Sequence, residues 1–427
     1  MLGELYVNYP LITAKKWRAE AMASKITCLV TLHGVGFEQP PQAGVDNSGY
    51  ADPLHQHLKK CLAEQLSDDP NREQGRSKPG DNGAIYVQSR WLDDKGIASR
   101  EEGLKRLGVW CGDKERVDTI AAPLVANDAH DGSVSHVALV YSNLEPMGPE
   151  LGATLITLET SLFSASHYGS ALRLIHVALA DGLAMIGHHT APGQEPISSR
   201  PRSDLRSRSV KQLGQHELAA SAPAPGLLSM LRSLEDDMAC YVCHNEERER
   251  VRSFVYEALM RLACREDVDS IVLNTHSSGT VIAFDVLRYL PQEVTTKIRA
   301  FVTAGSPLRK YVDLVHWGNQ IQCLYPVEPW YNFWDRRDPV ADPLDPPFSW
   351  RVGDRIVPSV EKLFSRIDLN SEEPCWIKVD DREVDNVVKS AGGGLQAHNY
   401  WDNEEQFVTQ LADIVYAIAS TPLVKAV

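Results

Sequence analysis

Six short apolar runs, each broken off by a turn or by residues suited to chemistry, most constrain how this chain can fold. Ile26–Leu32 (ITCLVTL) ends in His33-Gly34-Val35-Gly36, and 84–91 and 136–142 follow. Further on, 270–275 (SIVLNT) ends in His276-Ser277-Ser278-Gly279, and 300–303 leads into Ala304-Gly305-Ser306-Pro307. Trp330–Trp334 runs into Asp335-Arg336-Arg337-Asp338-Pro339-Val340. Continuous apolar runs of this length suit strands covered on both faces, as in a parallel sheet. Helical patterns alternate with them. Asp52-Pro53 opens a helix running toward Leu66. The stretch 247–264 carries an apolar stripe at Val251, Phe254, Val255, Ala258, Leu259 and Leu262, and 280–290 and 404–419 also read as helices. Strand and helix in alternation predict an α/β fold with a doubly wound, mostly parallel sheet.

With 427 residues the chain is long enough for one large domain with insertions. The two ends of the sequence, 1–142 and 247–427, carry the strand and helix patterns. The interval 143–246 is too long for a simple connection. It reads as a helical insertion, a cap or lid over the carboxyl edge of the sheet, with a polar, flexible piece at 192–215. A formal charge of -14 disfavours nucleic acid as a partner. The opening residues lack the pattern of a secretory signal. The most apolar candidate for a membrane span, 171–187, is interrupted by Arg173, His176 and Asp181. Eight cysteines scattered over so long a chain suit reduced thiols, so the expected location is cytoplasmic.

The chemistry concentrates where 270–275 meets the next helix. A serine at a sharp strand-to-helix turn is held above the sheet, and small residues two before and two after it let the backbones pass. Thr275 and Gly279 fill those places around Ser277. Ser278 as nucleophile would put the bulky His276 there instead. The helix that follows aims its N–H groups and its dipole at the serine, where negative charge would develop.

On this elbow the chain resembles the α/β-hydrolase superfamily of serine esterases and lipases, with Thr275 where the usual pattern has Gly. The resemblance implies a hydrolase-type sheet and three further parts. His33-Gly34-Val35-Gly36 is similar to the HG-x-G loop of many lipases, which makes Val35 one backbone donor of an oxyanion hole and Ser278 the other. In this fold the acid and then the histidine follow the serine in chain order. Asp335 and Asp338 both stand after the strand. Asn332 with Asp338-Pro339-Val340 resembles the N-x-x-x-DPV region of lipases and DDHD-type phospholipases, which favours Asp338 and leaves Asp335 as the alternative. His398 is the sole histidine after Asp338. It lies in a Gly-rich stretch similar to the H-x-Y-W region of related esterases.

The implied triad is Ser277, Asp338 and His398, with no cofactor or metal. The expected activity is serine carboxylesterase or lipase chemistry on apolar acyl esters, so the partner is a small-molecule or lipid ester. The alternatives are a phospholipase making transient contact with a membrane surface, and a non-catalytic scaffold that binds a partner. Three other signals carry less. Cys240-x-x-Cys243-His244 matches a haem-attachment pattern, but no export signal accompanies it. The basic residues Arg200, Arg202, Arg206, Arg208 and Lys211 read as a solvated loop. His188-His189 reads as a surface pair.

Overall fold

A computed structural model describes residues 25–34, 50–68, 77–79, 83–88, 104, 107, 120, 124–127, 132–141, 241, 245–308, 321–336, 338, 340–341, 343–345, 350–352, 355–357, 364–367, 375–386 and 397–421. The first half of the chain supplies β1 (Ile26–Leu32), α1 (Asp52–Asp68), β2 (Ser77–Pro79), β3 (Ile85–Gln88), β4 (Val125–Asn127) and β5 (Ser133–Val140). Then come α2 (Asn245–Cys264), β6 (Val268–His276), α3 (Ser278–Leu287), α4 (Gln292–Thr295), β7 (Ile298–Ala304), β8 (Ile321–Cys323) and β9 (Trp330–Trp334). The chain continues through β10 (Trp350–Val352), β11 (Arg355–Val357), β12 (Phe364–Arg366), β13 (Cys375–Trp376) and β14 (Val379–Glu383). It closes with α5 (Thr409–Ala419), entered through a π-helical turn at Glu404–Val408. The expected insertion at 143–246 lies outside the described residues except for Tyr241, Asn245 and Glu246.

The fold is of the α/β class. Among the described residues one nine-stranded sheet runs in the order β14-β9-β7-β6-β1-β5-β4-β2, with β3 also paired to β5. Every pairing from β14 to β5 is parallel, as is β3 with β5, and only β4 and β2 join antiparallel. From β1 the chain goes first to β2 at the far edge and returns through β3 and β4 to β5 beside β1, then crosses to β6 and builds the other way through β7, β9 and β14. The reversal falls between β1 and β6, and in open parallel sheets ligands bind at such a switch point, outside the carboxyl ends of the strands.

Side chains alternate across the sheet with period two, so each central strand feeds two cores. Val30, Leu32 and Leu273 pack with Phe254 of α2 and Phe284 of α3 on one face. Leu29, Val272 and Val302 pack with Leu411 and Val415 of α5 on the other. All seven residues of β1 and all eight of β5 are buried, which is why their sequences carry so little charge. Burial extends β5 back to Ser133, three residues before the expected start, because Ser133 and Ser135 pair in register with Ile26 and Cys28. The expected 280–290 helix begins at Ser278, immediately after the elbow serine.

The cysteine expectation needs a correction. Cys28, Cys61, Cys323 and Cys375 are free thiols, but Cys264 at the end of α2 is disulfide-bonded. Even spacing in sequence says nothing about which thiols meet in space. Among the described residues no helix is long and apolar enough to cross a membrane.

Trp330 anchors the core beneath the site. Its ring lies 5.2 Å from Phe284, 5.0 Å from Phe301 and 4.8 Å from Phe364, centroid to centroid. Trp330→Ala should cost about 3–5 kcal/mol, as large-to-small aromatic changes in cores do. A urea titration should show a lowered midpoint at unchanged slope.

Candidate functional site

Four neighbouring parallel strands, β9, β7, β6 and β1, end side by side, and each hands the chain to a residue of the site. β6 delivers Ser277, the one described non-glycine residue with positive φ (φ 53°, ψ -130°). A left-handed serine is strained and persists only where its surroundings over-determine it. Here the Ser277 N–H donates to Ala304 O at 3.0 Å. Its carbonyl accepts from Thr280 twice, from the amide at 3.0 Å and from Oγ1 at 2.7 Å. Thr275, two residues before the serine, is buried, and its Oγ1 donates to Val302 O of β7 at 3.0 Å.

β1 delivers His33 and Gly34 against the same turn. A Cβ on Gly279 would stand 2.3 Å from His33 O, and a Cβ on Gly34 would stand 2.3 Å from Ser277 Cβ and 3.0 Å from Ser277 Oγ. Both glycines are therefore dictated by close backbone approach. The His33 Nδ1–H donates to Gly34 O at 2.6 Å, and the ring stacks on Tyr141 at 4.2 Å. The Tyr141 hydroxyl bonds His33 O at 2.9 Å and lies 3.2 Å from Ser278 Oγ. Ser278 opens α3, so its amide is among the helix's first N–H groups, which have no partner inside the helix. Val35, the other expected oxyanion donor, lies outside the described residues.

β9 delivers the acids. The His398 Nδ1–H donates to Asp338 Oδ2 at 2.8 Å, both side chains being buried. The same oxygen accepts the Tyr400 hydroxyl at 2.9 Å, and Oδ1 accepts the Val340 amide at 2.8 Å. Burial alone would raise the Asp338 carboxyl. The His398 ring and the three donors outweigh it and hold the group below its ordinary range. Asp335, the alternative acid, accepts the Asn386 amide at 2.7 Å. Asn386 Nδ2 in turn donates to Ala397 O at 2.6 Å, the carbonyl just before His398.

β7 supplies the floor. A Cβ on Gly305, at φ 62°, would stand 2.7 Å from His398 Cε1. His276 closes the group from the Ser277 side. Its Nε2–H donates to His398 O at 2.8 Å, and the two rings lie 4.5 Å apart. The His398 imidazole is thus packed against the residues that flank Ser277 in sequence and in the sheet. With Nδ1–H committed to Asp338, His398 Nε2 carries the lone pair. Among the described residues neither Nε2 nor Ser277 Oγ makes a hydrogen bond, although both are buried. Such contacts often tighten only when substrate arrives.

Ser277, Asp338, His398 and Ser278 were all named from the sequence. Tyr400, Asn386 and His276 were not. Tyr400 had a faint signal, standing two residues after His398, but a tyrosine carries no mark of its hydrogen-bond partner. Comparison with family models, curated proteins and solved structures finds no match.

Two buried histidines make the site sensitive to acid. Burial pushes His276 down from 6.5 to about 3, helped by the neighbouring His398, and pushes His33 down to about 4. The unfolded chain takes up these protons near 6.5 and the folded one does not. Stability is therefore complete above about 6.5 and falls as pH drops toward 4 and then 3. The urea midpoint should decline over that window, and His276→Gln, which keeps a donor near Nε2, should flatten the decline.

Proposed function

We propose that the chain is a serine hydrolase of the α/β-hydrolase type that cleaves carboxylic esters through an acyl-enzyme. The observation that carries this reading is a strained serine at a strand-to-helix turn beside a buried, hydrogen-bonded histidine–aspartate pair. Strain of that kind has no evident structural use, and an ionised carboxylate buried behind a histidine orients its tautomer.

In this reading His398 Nε2 takes the proton of Ser277 Oγ as that oxygen attacks the ester carbonyl. Asp338 holds the ring through Nδ1 and stabilises the imidazolium. The Ser278 amide at the start of α3 faces the developing oxyanion, with Val35 as the proposed second donor. His398 then returns its proton to the leaving alkoxide and activates water, which releases the acid. The substrate would be an apolar acyl ester, and the 143–246 region the part that shapes the acyl site. A scaffold that only binds a partner would not need the acid and base aligned on each other. The four free thiols among the described residues favour a reducing, cytoplasmic setting, and the bonded Cys264 argues against it.

A fluorophosphonate probe should label Ser277 in the folded protein, and p-nitrophenyl esters should be hydrolysed across a panel of chain lengths. Ser277→Ala should abolish labelling and lower turnover on the order of a millionfold. Asp338→Asn, which offers His398 the wrong tautomer partner, should lower turnover about ten-thousandfold. Full activity in Ser277→Ala would exclude this nucleophile.

A further inference from the structure

We propose that Tyr400 is a positioning residue that, by gripping Asp338, sets how tightly His398 holds its proton; the inference deepens the serine-hydrolase reading above and rests on it. The Tyr400 hydroxyl is bonded on both sides. It accepts the Asp335 amide at 2.9 Å and donates to Asp338 Oδ2 at 2.9 Å. That oxygen is also the acceptor for His398 Nδ1 at 2.8 Å. Two donors therefore share one carboxylate oxygen, and whatever charge the phenol draws is withdrawn from the imidazole.

The hydroxyl is fixed in this role. Its accepting lone pair faces the backbone of the loop that carries Asp338, so its single proton can point only at the carboxylate. The ring is fully buried, with Phe407 6.0 Å away and His276 5.9 Å away, centroid to centroid. Burial, and after it the charges of Asp338 and Asp335, keep the phenol protonated far above its ordinary range. It remains a donor wherever an ordinary tyrosine would be protonated.

The titratable groups facing the pair are few. Asp338 and Asp335 come from the end of β9, and His276 from the end of β6, held neutral by burial. A neutral His276 adds no charge against an imidazolium at His398. The balance between phenol and imidazole at Oδ2 is thus the adjustable part of the arrangement. A stronger phenol donor weakens the carboxylate's hold on the imidazolium and lowers the pH at which His398 titrates; loss of the donor raises it.

The test reads His398 directly by following its ring-proton resonance against pH, assigned by its disappearance in His398→Gln. Tyr400→Phe should shift the His398 midpoint upward on the order of half a pH unit, a fraction of the worth of a hydrogen bond to a charged group. Phe also leaves the Asp335 amide without its acceptor, so a second variant is needed that keeps every contact. Installing 3-fluorotyrosine at position 400 makes the hydroxyl a stronger donor in an unchanged fold. It should move the midpoint downward, and the acidic limb of kcat/KM for ester hydrolysis with it. A 3-fluorotyrosine protein whose His398 curve superimposes on that of the native protein, or moves upward, overturns the proposal even if Tyr400→Phe does not fold. The ring titration needs no turnover. If no ester is cleaved and no probe labels Ser277, the hydrolase reading fails, and the link between Tyr400 and His398 is still read.

Discussion

Three backbones meet at the centre of this protein with no room for a side chain between them. The end of β1, the turn from β6 into α3 and the end of β7 converge on Ser277. His33 O sits where a Cβ of residue 279 would begin, and Ser277 Cβ where one of residue 34 would begin. Ala304 O takes the Ser277 amide from the third side. Packing this close converts the register of a buried parallel sheet into the position of one hydroxyl. The left-handed conformation of Ser277 is a consequence. It is held by a bond from its N–H to the end of β7 and by two bonds to its C=O from Thr280 of α3.

The electrostatics of the site divide along the number of donors each group meets. Asp338 is as buried as His33 or His276, yet its carboxyl is held in the charged form because His398, Tyr400 and the Val340 amide all point at it. His276 and His33 each donate to a backbone carbonyl, but burial wins, so both are pressed toward the neutral form. An ionised acid, a histidine bound to it and two neutral histidines close by make up the arrangement.

The two aspartates after β9 have separate work. Asp338 meets the imidazole itself, whereas Asp335 is linked to the backbone beside the same histidine through Asn386 and the carbonyl of Ala397. Both threads join residues that follow β9 to residues that follow β14, and Tyr400 ties them together at its hydroxyl. His398 stands outside the strands of the sheet. Here side-chain hydrogen bonds supply what β-pairing supplies for Ser277.

The apolar runs by themselves determined that this chain would form a mostly parallel α/β sheet. Strands buried on both faces must be apolar throughout, and that leaves a mark in sequence. β1 and β9 occur with the bounds expected, and β6 extends its run by a few residues at either end. The edge strands left no such mark. β14 (VDDRE) is short and charged, and it joins the sheet only because β9 offers it a free edge. The elbow was legible because strand, small residues and helix stand next to one another in the chain. Asp338 was favoured over Asp335 only through the resemblance of Asp338-Pro339-Val340 to a lipase segment, and the roles of His276 and Tyr400 were not legible at all. These depend on distances between residues 60 to 122 positions apart, which only the closed fold fixes. The bonded Cys264 belongs with them, since a disulfide records proximity in space and spacing along a chain does not.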